Sequence, residues 1–165
     1  RQIETELRGQ FPTSFQELKK LPGIGDYTAA AIASIAFREP VAVVDGNVFR
    51  VLARVFGIDK DIASGSGKAF FFSKANSLIP ADQPDIFNQA VMEFGALHCT
   101  PQNPKCDTCT FSKSCYARLH EMQSILPVKT PKQKVRKRYF YYIVINNRGK
   151  LLMRNHFALE SMQSV

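Results

Sequence analysis

The stretch that most constrains this chain is Leu21-Pro22-Gly23-Ile24-Gly25, set between two segments of helical pattern. Ahead of it, Ser14 and Glu17 stand at the spacing of a capping box, which predicts a helix over Ser14 to Lys20. After it, Thr28 to Phe37 is Ala-rich and apolar enough to form a buried helix. Gly23 and Gly25 carry no side chain, so the backbone between the helices can come close to another molecule. The first amides of the second helix lack partners within it and form an anion site, for which a phosphate is a natural guest. A Pro-Gly-x-Gly turn is also an ordinary joint between packed helices, and the glycines alone do not decide between the two.

The next fixed point is Asp45. Val41 to Val44 form an apolar approach, and Val48, Val51, Leu52 and Val55 repeat at i, i+3, i+4, i+7 until Gly57 stops the helix. Asp45 therefore falls at or near an N-cap. Capping alone would account for an aspartate there. Its place after the turn and just before Asn47 and Arg50 makes it a candidate functional carboxylate as well.

All four cysteines, Cys99, Cys106, Cys109 and Cys115, fall in one short run with the spacing C-x6-C-x2-C-x5-C. Two disulfides would need an oxidising compartment, for which nothing else in the sequence argues. Four thiolates can also hold one zinc ion or an iron–sulfur cluster, which tolerates an irregular loop around a short C-x2-C.

Between these landmarks the pattern is mostly helical. Arg1 to Arg8, Lys68 to Leu78, Asp85 to Leu97 and Tyr116 to Ser124 read as helices. On Asp85 to Leu97 the expected buried stripe is Phe87, Ala90, Val91, Phe94 and Leu97. Phe70, Phe71 and Phe72 read as aromatic core. Asp59 to Gly67 reads as a polar loop whose Ser-Gly-Ser-Gly-Lys is not a phosphate loop, since Ile62 and Ala69 stand where Gly and Ser or Thr are required. Pro127 to Arg138, with Lys129, Lys132, Lys134, Arg136, Lys137 and Arg138, reads as a basic linker, either a spacer or an arm on a polyanion. Tyr139 to Ile145 and Lys150 to Arg154 read as strands around an Asn146-to-Gly149 turn. A net charge of +8 makes a polyanionic partner plausible, and no apolar run approaches membrane-spanning length. Arg1 falls in what reads as mid-helix, so the chain is expected to be a fragment.

Several of these motifs carry a resemblance. Leu21 to Gly25 with its Ala-rich helix looks like the helix-hairpin-helix of DNA-repair glycosylases, which grips a DNA phosphate. The run Val44-Asp45-Gly46-Asn47-Val48-x-Arg50-Val51 is similar to the catalytic-aspartate segment of adenine DNA glycosylases, and Met92 to Ala96 is similar to the same family. The cysteine spacing resembles the 4Fe–4S loop of the endonuclease III and adenine-glycosylase superfamily. The strand–turn–strand pattern after residue 138 looks like the start of a MutT-like domain.

The resemblance implies a mainly α fold. Residues 1–38 would be a partial six-helix barrel with the hairpin, 39–125 an iron–sulfur helical domain, 126–138 a linker, and 139–165 the start of a C-terminal β domain. It implies a 4Fe–4S cofactor on Cys99, Cys106, Cys109 and Cys115. Catalysis would fall to Asp45 and Tyr27, and DNA binding to Leu21, Gly23, Ile24, Gly25 and Asn47. The partner would be double-stranded DNA with a mispaired adenine, with no membrane and no small-molecule substrate, in the cytoplasm on the bacterial nucleoid. Bifunctional endonuclease III-like enzymes carry a Schiff-base lysine two residues past the last hairpin glycine, where this chain has Tyr27, and read Val-Asp-Thr-His where it has Val-Asp-Gly-Asn. Both departures favour a monofunctional adenine glycosylase acting on adenine opposite 8-oxoguanine or guanine. The alternatives are a bifunctional glycosylase/lyase and a non-enzymatic iron–sulfur or zinc module that binds DNA. The family's general-acid glutamate is expected upstream of Arg1, which predicts that this chain alone is nearly inactive.

Overall fold

The computed structural model describes residues 2–5, 7–131, 146–147 and 150–151. The chain divides into two units, 1–131 and 132–165. The first is helical: α1 (Gln2–Thr5), α2 (Phe15–Leu18), α3 (Asp26–Phe37), α4 (Gly46–Phe56), α5 (Gly65–Asn76), α6 (Pro84–Leu97) and α7 (Tyr116–Leu119).

Local chemistry sets the ends of these helices. The Ser14 hydroxyl accepts from the Glu17 amide and caps a one-turn α2, and it donates to the Glu17 carboxylate, so half of the expected capping box forms. Gly57, at φ 67°, closes α4 in the left-handed conformation. The expected helix at Lys68 starts earlier, at Gly65, because the Ser64 hydroxyl accepts the Gly67 amide and caps it. A Cβ at Gly67 would collide with the Asp61 carbonyl, so this glycine serves close packing at the cap. The helix expected to reach Ser124 stops at Leu119, where the chain turns through Glu121 at φ 56°.

Two apolar clusters fill the 1–131 unit. One gathers Phe15, Leu18, Leu21 and the Ala29, Ala30 and Ala33 face of α3. The other gathers Val48, Leu52, Ala53, Phe71, Ala117 and Leu126. The extended segment 41–44 joins them by its two-residue period. Val41 and Val43 belong to the first cluster, while Ala42 and Val44 turn to the second. The aromatic run on α5 divides likewise, each ring turned about 100° from the last. Phe71 meets Phe49 edge-on, Phe72 stacks on Phe15, and Phe70 faces solvent beneath Lys60.

The stripe expected to bury α6 is the main correction. Leu97 is 61% exposed, and Pro84, Asn88 and Gly95 are the buried positions instead. Phe87, Val91 and Phe94 line an open apolar groove with Val51, Val55 and Phe111. The face of α6 turned to the core is chosen by Asn88 and by close contact at Gly95, where a Cβ would lie 2.7 Å from the Asn47 Cβ.

The linker begins as packed structure. Leu126 is buried, the Ile62 amide donates to the Val128 carbonyl, and Thr130 bonds Asp61 through both its hydroxyl and its amide. In the second unit, β1 (Asn146–Asn147) pairs antiparallel with β2 (Lys150–Leu151), Asn146 opposite Leu151. This takes Asn146 and Asn147 out of the expected turn. The expected strand over Tyr139 to Ile145 and the basic residues from Lys132 to Arg138 lie outside the described residues.

Candidate nucleic-acid interface and cysteine centre

The hairpin presents backbone to solvent. Leu21 is buried in the core and Ile24 packs on it, so these two hold the turn by their side chains. Pro22, Gly23 and Gly25 are exposed. Gly23 has φ 83°, a conformation that favours glycine. Gly25 is the N-cap of α3 with no side-chain cap, so the first amides of α3 are left open outward. Asp26 puts a carboxylate in that first turn, and Lys19 pairs with it at 2.6 Å. Tyr27 is 51% exposed, and its hydroxyl makes no hydrogen bond to Asp45 or to any other described residue.

Asp45 is held from both of its oxygens. Oδ1 accepts the Val48 amide at 2.8 Å and caps α4; Oδ2 accepts Asn47 Nδ2 at 3.0 Å. The extended segment leading to it has no strand partner. Two asparagine side chains satisfy it instead: Asn76 Oδ1 takes the Ala42 amide, and Asn88 Oδ1 takes the Val43 amide. Asn88 Nδ2 also donates to the Val41 carbonyl and the Ser34 hydroxyl. Neither asparagine stood out in the sequence, where single buried amides carry no pattern.

Asn47 faces inward. Its Oδ1 accepts from Arg50 Nη2 at 2.8 Å, and one further Nδ2 hydrogen is free for an outside acceptor. Arg50 also donates to the carbonyls of Gly95 and Cys99, so a continuous set of bonds runs from Asp45 to the cysteine loop. Burial, then the neighbouring Arg54, pull the Arg50 guanidinium down from its ordinary value, while Cys99 and Asp45 oppose this. Arg54, one turn on and 3% exposed, binds the carbonyls of Thr100, Pro101, Gln123 and Leu126. The signal for both was available: two arginines at i, i+4 on a helix face otherwise buried.

Cys99, Cys106, Cys109 and Cys115 are free thiols and line a single cavity. Arg54 Nη1 lies 3.5 Å from Cys99 Sγ, the Phe111 amide donates to Cys109 Sγ at 3.4 Å, and Cys115 Sγ donates to the Arg54 carbonyl. Burial first, then Cys99 and Cys115, push the Cys106 thiol up, against a hydrogen bond from Gln123. Four thiolates here would repel one another, which is the electrostatic demand a cationic group satisfies. Among the described residues, no three Cys, His, Asp or Glu side chains converge to clasp one metal ion. The sulfurs are distributed around the cavity wall. Two buried nitrogens on the same wall, His98 Nε2 and Arg118 Nη1, have no hydrogen-bond partner. Four cysteines on one cavity are the donor set of a thiolate-bound centre, whether a zinc ion or an iron–sulfur cluster.

Comparison with known proteins places the chain among helix-hairpin-helix DNA glycosylases. The family model described as "Helix-hairpin-helix motif" matches residues 6–35. Adenine DNA glycosylase of Schizosaccharomyces pombe is 48% identical over 99 residues, 60% of this chain and 22% of the relative. The human adenine DNA glycosylase is 46% identical over 72% of this chain and 22% of its own length. The one from Buchnera aphidicola subsp. Schizaphis graminum is 34% identical over 87% of this chain and 41% of its own. The chain thus spans less than half the length of these relatives. A thermostable thymine-DNA glycosylase superposes with a TM-score of 0.64 at 32% identity, covering 73% of this chain and 55% of that one. Endonuclease III in a non-covalent DNA complex gives 0.61 at 29% identity, over 74% and 55%.

Proposed function

Because the chain belongs to the helix-hairpin-helix DNA glycosylases, on the branch of the adenine DNA glycosylases, we propose that the protein carrying it excises adenine mispaired with 8-oxoguanine or guanine from double-stranded DNA. The observation that carries this reading is the setting of Asp45. Its carboxylate is fixed by the Val48 amide and by Asn47, on a segment pinned through Asn76 and Asn88.

The reaction is hydrolysis of an N-glycosidic bond in a nucleotide turned out of the helix. As the bond breaks, positive charge develops on the sugar, and an oriented carboxylate stabilises it with no reorganisation at that moment. Asp45 has that role here. The hairpin amides from Gly23 to α3 take a DNA phosphate and fix the register of the duplex, and Tyr27 lines the base pocket. Asn47 orients Asp45 and offers its remaining hydrogen to the sugar or phosphate. With Tyr27 two residues after Gly25, the turn carries no amine for a Schiff base, which favours the monofunctional reaction over a lyase.

In this reading Cys99, Cys106, Cys109 and Cys115 hold a 4Fe–4S cluster. When bound it supplies a four-thiolate cross-link and a one-electron couple. Arg54 shapes the loop around it. Residues 1–38 are part of the barrel, 39–125 of the cluster domain and 126–138 of the linker. The antiparallel pairing of β1 and β2 supports reading 139–165 as the start of a MutT-like domain. Its place would be the cytoplasm, on the bacterial chromosome; among the described residues no helix is long and apolar enough to cross a membrane.

The test is Asp45→Asn in the full-length protein that carries this sequence. The amide keeps an oxygen for the Val48 amide, but its NH2 meets Asn47 Nδ2, donor against donor. Stability should fall by about 1 kcal/mol. Single-turnover adenine excision should fall by about a hundredfold or more, since charge stabilisation of this kind is worth a few kcal/mol. Duplex binding should persist. Excision at the wild-type rate would reduce Asp45 to a helix cap.

A further inference from the structure

His98 and Arg118 have no task in the chemistry above, yet both line the cysteine cavity and each keeps one buried nitrogen without a partner among the described residues. His98 is the C-cap of α6, directly before Cys99, and its ring stacks on Phe94 at 5.1 Å between centroids. Nε2 is buried and has no partner among the described residues. Arg118, on α7, pairs Nη2 with the exposed Asp107 at 3.1 Å, which leaves Nη1 buried on the cavity side, also without a partner. An unsatisfied buried N–H costs about 1–3 kcal/mol. Two of them on one cavity wall point to an acceptor inside it.

Four of the residues on that wall are cysteines, whose sulfurs can accept. Cys99 and Cys109 already receive N–H groups from Arg54 and Phe111. We propose that His98 Nε2–H and Arg118 Nη1–H complete this donor shell by bonding to sulfur of the group held by the four cysteines, and that they set its reduction potential. The proposal rests on the 4Fe–4S reading. Donors to sulfur stabilise the more negative, reduced form, so each raises the potential. The couple transfers one electron, no bond is made or broken, and His98 and Arg118 act as positioning and tuning groups.

The experiment is voltammetry on the anaerobically purified 165-residue chain, with the electrode as electron source and iron counted in every sample. His98→Phe keeps a ring to stack on Phe94 and removes the donor; Arg118→Met keeps the stem and removes Nη1. Each should retain iron and shift the redox equilibrium about tenfold toward the oxidised form, or ~59 mV downward for one electron. His98→Gln should recover most of the shift, and Asp107→Asn should leave the potential in place. As a measurement needing no variant, electron–nuclear double resonance on the reduced wild-type cluster should show an exchangeable proton coupled from a 15N-labelled histidine. Iron-replete variants at the wild-type potential, or no coupled histidine proton, would overturn the donor shell and leave the cluster standing. A wild-type chain that binds one zinc and no iron would overturn the cluster reading itself.

Discussion

At Asn88 one buried amide holds two stretches of backbone and a hydroxyl at once: the Val43 amide, the Val41 carbonyl and Ser34. Asn88→Leu is close in volume and leaves all three without a partner. It should destabilise the protein by about 2–4 kcal/mol, read from denaturant unfolding, because buried groups deprived of partners bear their full desolvation cost. Asp45 stands two residues beyond Val43, so the same change should slow adenine excision even where the fold survives. Asn88 lies between Phe87 and Ala90 on a helix whose apolar repeat was easy to read and was assigned to the core. That repeat exists, but it lines an open groove, and the polar residue beside it faces inward. Periodicity reports that residues share a face; it does not report which neighbour covers that face. Asp45 was legible for the opposite reason, since an N-cap joins a residue type to a helix start within a few positions.

For the hairpin, the two glycines make different experiments. Gly23 has φ 83°, so a side chain there strains the turn whatever it binds. Gly25 has φ −90° and ψ 178°, extended backbone that valine adopts readily, and a Cβ there meets nothing within 4 Å. Gly25→Val should therefore cost no more than about 1 kcal/mol, the loss of a favoured N-cap residue, while blocking approach to the amides of α3. Losing charge-assisted hydrogen bonds worth ~1.5–3 kcal/mol should weaken binding about tenfold or more. The loss should be alike for all sequences, with a shallower salt dependence. Where 128–131 meets the start of α5, Asp61 gives a second test. The Thr130 hydroxyl first, then the Ala63 and Thr130 amides, hold its carboxyl below the usual range. The group's folded value is depressed, so its contribution is complete above the unfolded value of about 3.9. It is lost as pH falls through the lower folded value. Protection of the Ile62 amide, which donates to Val128, should fall across that acidic window once intrinsic exchange is divided out, and Thr130→Val, which removes the hydroxyl bond and keeps the two amides, should narrow the pH dependence.

On the scale of the whole chain, the cysteine centre gives the plainest outcome. Purified without oxygen, the protein should be brown with about four irons per chain. A colourless protein with one stoichiometric zinc would reject the cluster. The four ligands were legible because their spacing is local. The arginines that wrap their loop show in the sequence as a buried i, i+4 pair, but their partners do not, because Arg54 reaches Leu126 across 72 positions of sequence. The same distinction separates the caps at Ser14 and Asp45, which sequence placed, from the alternation of residues 41–44 between two apolar clusters, which only the assembled molecule reveals. That alternation bears on how the protein comes apart. Neither cluster can melt alone, because releasing Val41 and Val43 from one pulls Ala42 and Val44 out of the other, and Phe71 and Phe72 repeat the linkage on α5. The 1–131 unit should consequently lose helix signal and aromatic environment in one coincident transition rather than in two steps.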